Sequence, residues 1–317
     1  MRSELIELLS CPVCGAGFSG TSPATDVLIC RKCDYRAPII DGIPRFVFVP
    51  EDQTARRTQA SFGYEWTHFN DWSQSAEASF KDYFAGFALE SLRGKTVLDA
   101  GCGMGRHARE MAQYAGHVVA LDFSRAIDQA AANTRLLANV DCIQADVLAP
   151  PVSDGRFDLV YSLGVLHHIR DTEAALIGLV KKVRPGGHVR IYLYWKRHGW
   201  KGSLLAMVAL ARKVTTRLPF RVLKACCWML SVLLWTTVVT PYRLLSAIGV
   251  NARDWPLFFY TKYPFVILYN DQFDRFSAPI EKRYDANEVK ALMEHVGLRN
   301  VVVRPCFGWI AAGQKEF

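Results

Sequence analysis

The chain has 317 residues, of which 50% are hydrophobic and 21% are charged, a composition typical of a globular protein with one large domain and a small one. The N-terminus MRSELIELLSCP has no apolar run behind its first basic residue, which argues against a secretory signal. Nine cysteines without such a signal favour a reducing compartment, where cysteine more often binds metal or packs as a small hydrophobic residue than forms disulfides. We therefore expect a cytoplasmic protein.

The net charge of +8 belongs to one segment. Between Ala174 and Arg253 there is no acidic residue and there are 14 Lys and Arg, whereas the rest of the chain has 24 basic and 30 acidic residues. The basic character is therefore no general sign of nucleic-acid binding, and this segment needs an explanation of its own.

Four cysteines near the N-terminus have the spacing of a metal site. The pairs Cys11-Pro-Val-Cys14 and Cys30-Arg-Lys-Cys33 are separated by 15 residues. Each pair can offer two thiolates from one tight turn, and two such turns close a tetrahedral site around Zn²⁺. With every position filled by sulfur, the zinc would be structural and would contribute folding free energy to a segment too small to hold a core alone. The predicted zinc ligands are Cys11, Cys14, Cys30 and Cys33.

The residues after the second pair, APIIDGIPRF, predict a strand, a tight turn at Asp41-Gly42 and a second strand. Together with LLSCPVCG and ICRKC, they resemble the zinc ribbon of short bacterial proteins and of activator subunits of RNA and protein methyltransferases. A similar ribbon precedes the catalytic domain in a family of ribosomal-RNA guanine methyltransferases. The resemblance covers about 45 residues.

The remaining chain divides into segments of different composition. Residues 94–195 alternate strand-like and helix-like patterns, which is typical of βαβ units in a parallel sheet. A helix is predicted from Asp285 to Val296, followed by strands in NVVVR and GWIAA. Strands are also predicted at 95–100, 117–121, 141–145, 157–162 and 188–194. The predicted segments are 1–50 (ribbon), 51–93 (linker and N-terminal helices or lid), 94–195 (α/β core), 196–262 (apolar, basic helical cap) and 263–317 (completion of the sheet).

The string VLDAGCGMGRH ends a predicted strand at Asp99 and opens a helix at about Arg106, with glycines at 101, 103 and 105. Glycine permits a sharp turn and a close approach of the backbone to a ligand. The string does not fit the dinucleotide fingerprint, because Arg106 stands at the position of its third glycine. It also lacks the Gly-Lys-Ser/Thr of a phosphate-binding P-loop.

Further features follow the glycine loop in a fixed order. Asp122 ends the next predicted strand in VVALDFS, where a carboxylate can bind ribose hydroxyls, and Asp146 ends the third in QADV, where it can accept from an adenine amino group. FDLVYSLGVLHHIRD and KKVRPGGHVRIYLY supply the fourth and fifth strands. Together these motifs resemble class I S-adenosylmethionine-dependent methyltransferases, in the type 11 subgroup around the ubiquinone and menaquinone methyltransferases. The resemblance covers roughly residues 94–195.

The resemblance implies an α/β fold, with a Rossmann-like sheet flanked by helices on both faces and completed by an antiparallel final strand. It implies S-adenosylmethionine as the cofactor, with the glycine loop at the methionine end, Asp122 at the ribose and Asp146 at the adenine. A generic α/β domain with another nucleotide is the alternative. The cofactor-binding residues implied in this way are Asp99, Gly101, Cys102, Gly103, Gly105, Asp122, Phe123, Asp146, Val147, Ser162 and Leu163.

An aromatic cluster of Phe62, Tyr64 and Trp66 lies upstream of the predicted sheet. Related enzymes often use such a segment as a lid over the cofactor, and a lid excludes water from the reacting sulfonium. Packing of an aromatic helix on the core explains the cluster equally well.

Methyl transfer depends largely on the alignment of the reacting atoms, and a general base is needed only when the nucleophile carries a proton. Candidates lie after the fourth strand, at the end of the fifth, and in NDQFDRFSAPIEKRY, which resembles a substrate-side stretch of the family and also contains Asp274 and Arg275. Packing of the histidines and surface capping by the acids are the alternatives. The candidate catalytic residues are His167, His168, Tyr194, Asp271 and Tyr284.

The insertion contains 16 uncharged residues at 225–240, fewer than the ~20 needed to span a bilayer. Lys213, Arg217, Arg221 and Lys224 precede this run at helical spacings, although a proline interrupts them. Such a basic amphipathic stretch with tryptophans suits the surface of an anionic membrane or an apolar lid over a hydrophobic substrate. A buried helical hairpin and one short transmembrane span are the alternatives.

Three functions follow from these patterns. We expect methyl transfer to a hydrophobic or lipid-linked small molecule, with peripheral contact at the inner face of the membrane. The second is methylation of RNA that is bound by the ribbon and the basic segment, but that segment is too apolar for a phosphate-facing surface. The third is a non-catalytic partner subunit, against which the intact glycine loop and strand-end acids argue. The patterns do not indicate an oligomeric state.

Overall fold

The computed structural model describes residues 2–19, 26–46, 52–69, 76–250, 255 and 257–316. Its N-terminal part is a small unit in which helix α1 (Ser3–Leu8) precedes an antiparallel sheet in the order β1-β2-β3. The strands are β1 (Val27–Ile29), β2 (Arg36–Ile40) and β3 (Ile43–Pro44). The turn between β2 and β3 lies at Asp41 and Gly42, with φ angles of 53° and 76°, which confirms the predicted strand, turn and strand.

The large domain is built around a second sheet. Up to the cap, its elements are α2 (Gln53–His68), α3 (Ala76–Tyr83), β4 (Thr96–Ala100), α4 (Arg106–Met111), β5 (His117–Asp122), α5 (Ala126–Thr134), β6 (Val140–Gln144), β7 (Phe157–Leu163), α6 (Thr172–Lys182) and β8 (Val183–Leu193). The cap and C-terminal elements are α7 (Gly199–Thr215), α8 (Phe220–Leu234), α9 (Thr240–Ala247), α10 (Phe265–Ser277), α11 (Ala286–His295), β9 (Leu298–Pro305) and β10 (Trp309–Lys315).

Within the described residues, seven strands form this sheet in the order β6-β5-β4-β7-β8-β10-β9. The first five run parallel, and β10 is inserted antiparallel between β8 and β9. The predicted α/β, Rossmann-like class with a final antiparallel strand is thereby confirmed. Strand β4 has β5 on one side and β7 on the other, so the order of strand addition reverses there. At such a switch point a crevice opens at the carboxyl ends of the strands.

The fifth parallel strand begins earlier than its sequence suggests. Strand β8 starts at Val183 rather than at residue 188, because Val183 pairs with Phe157 before the RPGG stretch and His188 pairs with Leu159 after it. The intervening residues form an irregularity in the strand, so Pro185-Gly186-Gly187 lies in a bulge within β8 and not at its start.

The N-terminal unit is packed against the edge of the large sheet. Arg45 forms a parallel bridge to Gln144 of β6, and the Phe46 N–H donates to the Gln144 carbonyl at 2.7 Å. The Arg2 guanidinium donates to Asp141, also on β6, at 2.8 Å. An uncovered edge strand exposes unpaired backbone groups, so this contact protects β6. Leu5 and other buried residues of the unit share one hydrophobic cluster with the sheet.

The cap contains a long apolar helical stretch. Helix α8 continues through a π-helical turn (Trp235–Val239) into α9, giving 28 helical residues from Phe220 to Ala247. Their most apolar stretch of 18 residues has a mean hydropathy of 1.8, and 22% of that stretch is buried. By length and composition alone, this stretch is sufficient to cross a membrane. The helix continues through Pro241, because the wider π turn just before it relieves the clash that proline causes in an α-helix.

The basic residues of the cap do not follow one helix. Pro219 is the N-cap of α8, and α7 ends at Thr215, so Lys213 lies on one helix while Arg221 and Lys224 lie on the next. The regular spacing in the sequence therefore spans a turn.

A buried ion-pair cluster anchors the cap to the C-terminal part of the chain. Glu281 accepts from Arg212 of α7 at 2.7 Å and pairs with Arg283 at 2.8 Å, and its side chain is only 4% exposed. Burial raises the pKa of Glu281, but the two guanidinium groups lower it by more, so the carboxylate stays ionised. Helix α10 packs against α7, α8 and α2, which places the cap over the carboxyl end of the sheet.

Candidate functional site

A cavity lies at the carboxyl ends of β4, β5 and β7, where the switch point predicts a ligand. It is bounded by the glycine loop, the ends of three strands, the segment after β7 and one face of α2. Its lining residues are Thr58, Gln59, Phe62, Trp66, Gly101, Cys102, Gly103, Met104, Arg106, His107, Asp122, Phe123, Ser124, Asp146, Val147, Leu163, Gly164, Val165, His168 and Ile169.

The glycine loop forms one wall of the cavity without side chains. Gly101 has a φ angle of 92°, and a Cβ atom there would lie 2.3 Å from Val165 Cγ2. At Gly103 an added Cβ would lie 3.2 Å from Trp66 Nε1. Since the segment after β7 approaches the loop from one side and α2 from the other, only glycine leaves backbone accessible to a ligand at these positions.

Asp122 connects the glycine loop with the end of β5. Its Oδ2 accepts from the Gly103 N–H at 2.8 Å, and its Oδ1 accepts from the N–H and hydroxyl of Ser124 at 2.8 and 2.7 Å. Burial raises the pKa of Asp122, although these donors oppose the shift. Oδ2 keeps a free lone pair beside the cavity, so the carboxylate can still accept from a ligand hydroxyl.

Asp146 lies at the far end of the cavity. Its Oδ1 accepts from the Leu148 N–H at 2.9 Å, and burial raises its pKa. Asp99, by contrast, does not line the cavity, and burial raises its pKa to about 8.

Helix α2 covers the cavity. Phe62 and Trp66 lie on the face that lines it, and Gln59 Nε2 donates to the Phe123 carbonyl at 2.9 Å. Tyr64 points to the other side, where its ring stacks on Phe220 of the cap with centroids 5.1 Å apart. The aromatic cluster of the sequence is therefore divided between the cavity and the contact with the cap.

His168 lies between the cavity and α10. Its Nδ1 lies 2.6 Å from the Ile280 carbonyl, so Nδ1 must carry a proton and donate. Nε2 then faces Asp274 Oδ1 at 3.9 Å. The Tyr194 hydroxyl donates to Asp274 Oδ2 at 3.1 Å. Nε2 and Oδ1 are too far apart for a direct hydrogen bond, and Oδ1 has no other hydrogen-bond partner in the described part of the chain.

His167, the candidate next to His168, lies away from the cavity. His167 is fully buried and stacks on Tyr194 with ring centroids 3.8 Å apart. Burial, assisted by His168 and Arg283, keeps its pKa well below the ordinary value and its ring neutral.

The two remaining candidate catalytic residues, Asp271 and Tyr284, do not line the cavity. Asp271 accepts from the Tyr260 hydroxyl at 2.7 Å, and burial raises its pKa to about 6. The Tyr284 hydroxyl donates to Thr172 at 3.0 Å, at the start of α6, and Tyr284 does not line the cavity.

The four cysteines of the N-terminal unit converge. The Sγ atoms of Cys11 and Cys33 are 3.7 Å apart, those of Cys14 and Cys30 are 3.4 Å apart, and all four lie within 4.8 Å of one another. Zinc–sulfur bonds of about 2.3 Å in a tetrahedron separate the sulfur atoms by about 3.8 Å. The cluster therefore fits a zinc ion with no open position for a substrate.

The comparisons with known proteins agree with this geometry. Residues 98–191 match the protein family described as "Methyltransferase domain". Residues 98–191 of the large sheet domain are thus a methyltransferase domain. This family agrees with the resemblance indicated by the glycine loop and the two strand-end acids.

Two curated relatives resemble this methyltransferase domain. Over 109 residues the chain is 40% identical to "Phosphoethanolamine N-methyltransferase 1" of Triticum aestivum, a match that covers 32% of this chain and 22% of that protein. Over 111 residues it is 35% identical to "Ubiquinone biosynthesis O-methyltransferase" of Alkalilimnicola ehrlichii, covering 34% of this chain and 44% of that protein. The chain thus spans less than half the length of either relative.

A solved structure extends the likeness beyond the domain. The crystal structure of Burkholderia thailandensis 1,6-didemethyltoxoflavin-N1-methyltransferase covers 95% of this chain and 100% of its own, with a TM-score of 0.51 and 13% identity. At that identity the likeness concerns the fold alone.

Most, but not all, of the cofactor-binding residues implied by the sequence line the cavity of the methyltransferase domain. Asp99, Gly105 and Ser162 do not; Ser162 instead donates its hydroxyl to the Ala100 carbonyl at 2.7 Å. Sequence reasoning missed Gln59 and Arg106. In the sequence Arg106 only breaks the dinucleotide pattern, whereas in the structure its guanidinium lies over the Trp66 ring at 5.2 Å.

Replacing Cys30 with serine tests the cysteine cluster. We expect one zinc ion per chain in the natural protein and none in Cys30→Ser, with a melting temperature at least about 5 °C lower because the ribbon shares a core with the sheet. Metal analysis and thermal unfolding measure both. Cys306→Ser, which changes a half-buried cysteine outside the cluster, is the control. A zinc-free natural protein would contradict the prediction.

Replacing Gly101 with alanine tests the role of the glycine loop in cofactor binding. The methyl group would overlap Val165 and demand a left-handed backbone, so we expect the affinity for S-adenosylhomocysteine to fall at least about 30-fold. Titration calorimetry measures it. Gly155→Ala has similar backbone strain at φ 67° with no atom within 4 Å of the new Cβ, and it should bind normally. Equal loss in both variants would mean that strain alone is responsible.

Proposed function

We propose that the protein transfers methyl groups from S-adenosylmethionine to a hydrophobic or lipid-linked small molecule. One observation carries this proposal: His168 lines the cofactor cavity and at the same time faces Asp274 on α10, the helix that packs against the cap. An acceptor bound beneath the cap would therefore meet a proton acceptor at the boundary of the cofactor cavity.

The residues of the cavity fit S-adenosylmethionine. The backbone at Gly101 and Gly103 is open to the methionine end, the spare lone pair of Asp122 suits a ribose hydroxyl, and Asp146 with Val147 suits the adenine. When bound, S-adenosylmethionine supplies an electrophilic methyl group on a positively charged sulfur. Phe62 and Trp66 cover the cavity and would exclude water from it.

The pair of His168 and Asp274 can remove a proton from the acceptor. The Ile280 carbonyl holds a proton on Nδ1, so the neutral form of the His168 ring has its lone pair on Nε2. Tyr194 orients the Asp274 carboxylate, which would stabilise the imidazolium once a proton has moved to Nε2. His168 and Asp274 thus take the roles of base and orienting acid. We assign His167 to packing, because it is fully buried and its ring contacts those of His168 and Tyr194.

The cap supports a hydrophobic or lipid-linked acceptor. Met207, Leu210 and Val214 are exposed at helical spacing along α7, and Met229 and Leu233 are exposed in the same way on α8. Exposed Lys213, Arg217 and Arg221 accompany these residues, and the cap has no acidic residue between Gly199 and Gly249. Apolar side chains flanked by cations suit the surface of an anionic membrane. We propose a cytoplasmic protein that binds this surface peripherally and takes its acceptor from it.

Labelled methyl transfer tests the function. Host-cell extract is incubated with the full chain and S-adenosylmethionine labelled in its methyl group, and then fractionated. We expect label in the organic-soluble fraction. His168→Gln should lower the rate about 100-fold or more, while S-adenosylhomocysteine still binds. Glu288→Gln, a surface change remote from the cavity, serves as control. Label in RNA would overturn the small-molecule acceptor in favour of RNA methylation.

Vesicle binding tests the membrane surface. Met229 and Leu233 are 59% and 57% exposed, so Met229→Ser with Leu233→Ser should lower affinity for vesicles rich in phosphatidylglycerol about tenfold or more, as measured by co-sedimentation. Leu136→Ser, at an 88% exposed leucine outside the cap, should not change it. Equal binding to neutral phosphatidylcholine vesicles would contradict the role of the basic residues.

A further inference from the structure

An open groove separate from the cofactor cavity lies between the start of α2 and the turn that joins α7 to α8. It has a volume of about 690 Å³ and shares no lining residue with that cavity. Arg56 and Arg57 of α2 line the groove, as does Arg217 of the turn, and its other lining residues are uncharged. Three guanidinium groups without a carboxylate among them give the groove a positive potential. The groove therefore suits an anionic ligand.

Arg57 is held in position by the residues of the turn and of the start of α8. Its Nη2 donates to the Leu218 carbonyl at 2.6 Å, and its guanidinium carbon lies 3.7 Å from the centroid of the Phe220 ring. Burial lowers the pKa of Arg57, which is the direction expected for a guanidinium group without an anion beside it. Because its orientation is already fixed, Arg57 loses little conformational freedom when it binds a ligand.

The carboxylates that lie close to the groove residues in the chain have other partners. Asp52, the N-cap of α2, accepts from two backbone N–H groups of the first turn and pairs with Arg170 at 3.1 Å. Glu281 is held in the ion-pair cluster of the cap. Within the described part of the chain, neither Arg57 nor Arg217 forms a salt bridge. Their charges therefore remain available to a ligand.

Exposed apolar side chains flank the turn that contributes Arg217. Val214, near the end of α7, is 64% exposed, and Val222, in the first turn of α8, is 48% exposed. A soluble anion would gain nothing from these side chains, whereas the acyl chains of a lipid can cover them. The combination of cations and exposed apolar residues favours an anion at a membrane surface over one in solution.

We propose that the groove binds the phosphomonoester headgroup of a membrane lipid. Such a headgroup carries a charge of about −1.5 to −2 at pH 7 and three terminal oxygen atoms, more than a phosphodiester offers. Arginine binds phosphate oxygen atoms through two parallel N–H donors, so three arginine side chains match the more highly charged group. Thr54 of the groove lies one helical turn before Thr58 of the cofactor cavity, so a bound lipid would hold the covering helix α2 against the membrane. The inference rests on the proposed membrane binding and requires no step of methyl transfer.

Vesicle composition tests the headgroup. Phosphatidylcholine vesicles that contain phosphatidic acid are compared with vesicles that contain phosphatidylglycerol, at equal surface charge and salt concentration, by co-sedimentation of the full chain. We expect the affinity to be about tenfold higher with phosphatidic acid. Equal affinity for both would overturn the groove as a headgroup site and leave membrane binding intact, while binding to neither would overturn the proposed membrane binding as well. Displacement from the phosphatidic acid vesicles by an equal concentration of soluble glycerol phosphate would overturn the lipid in favour of a soluble phosphate ester.

Two arginine variants link the preference to the groove. Arg217 and Arg221 are both exposed on the cap, but only Arg217 lines the groove. Arg217→Gln should lower the affinity for phosphatidic acid vesicles about tenfold more than that for phosphatidylglycerol vesicles, whereas Arg221→Gln should weaken binding to both by the same factor. The affinity for S-adenosylhomocysteine, measured by calorimetry, should be unchanged in both variants and reports correct folding. An equal loss in the two variants, or a preference that survives Arg217→Gln, would mean that the arginines act only as general surface charge and would overturn the proposal.

Discussion

The attachment of the glycine loop to the end of β5 is the constraint on which the cofactor side of the molecule depends. The N–H groups of Gly101 and Cys102 donate to the Leu121 carbonyl at 2.7 and 2.8 Å, and that of Gly103 donates to Asp122. Three successive donors directed at one strand end leave the loop little freedom. Because Gly101 also contacts Val165 closely, the same loop fixes the segment after β7, which carries His168.

The second half of the site is supplied by segments that follow the parallel strands. Helix α10 contributes Asp274, packs on the covering helix α2 and supports the cap helices. The buried ion-pair cluster around Glu281 holds the cap in place, and its two guanidinium groups lower the pKa of Glu281 by more than burial raises it. Helix α2, Asp274 on α10 and the cap helices therefore depend on one another for their positions. A change of acceptor would require changes here and not in the glycine loop.

The N-terminal unit has a structural role that its motif alone does not reveal. Two cysteine pairs indicate a metal site, but the contacts of Arg45 and Phe46 with Gln144 show that the unit also covers the edge of the large sheet. A free edge would offer unpaired backbone groups to other chains. The unit thus belongs to the hydrophobic core of the methyltransferase domain, and its cysteine cluster bears on the stability of the whole chain.

Features that depend on short contiguous stretches of the chain could be predicted from the sequence. The cysteine pairs, the strand–turn–strand that follows them, the glycine loop and the α/β alternation all depend on local spacing and backbone preference, and the structure contains each of them. The boundary of β8 was not predictable, because RPGG reads as a turn and only pairing with β7 keeps it within the strand. The apolar helix also continues through Pro241 because of a π turn, which the local sequence does not predict.

The sequence by itself thus determined the fold class, the glycine loop and the four-cysteine cluster, because these arise from short stretches of backbone. Only the tertiary structure decided the surroundings of the side chains. His167 and His168 are adjacent, yet one is packed beneath Tyr194 and the other faces the cavity and Asp274. Tyr284 hydrogen-bonds to Thr172 away from the cavity. The physical reason is that exposure of a side chain to a cavity is set by segments that are distant in the chain and meet only when the core is packed.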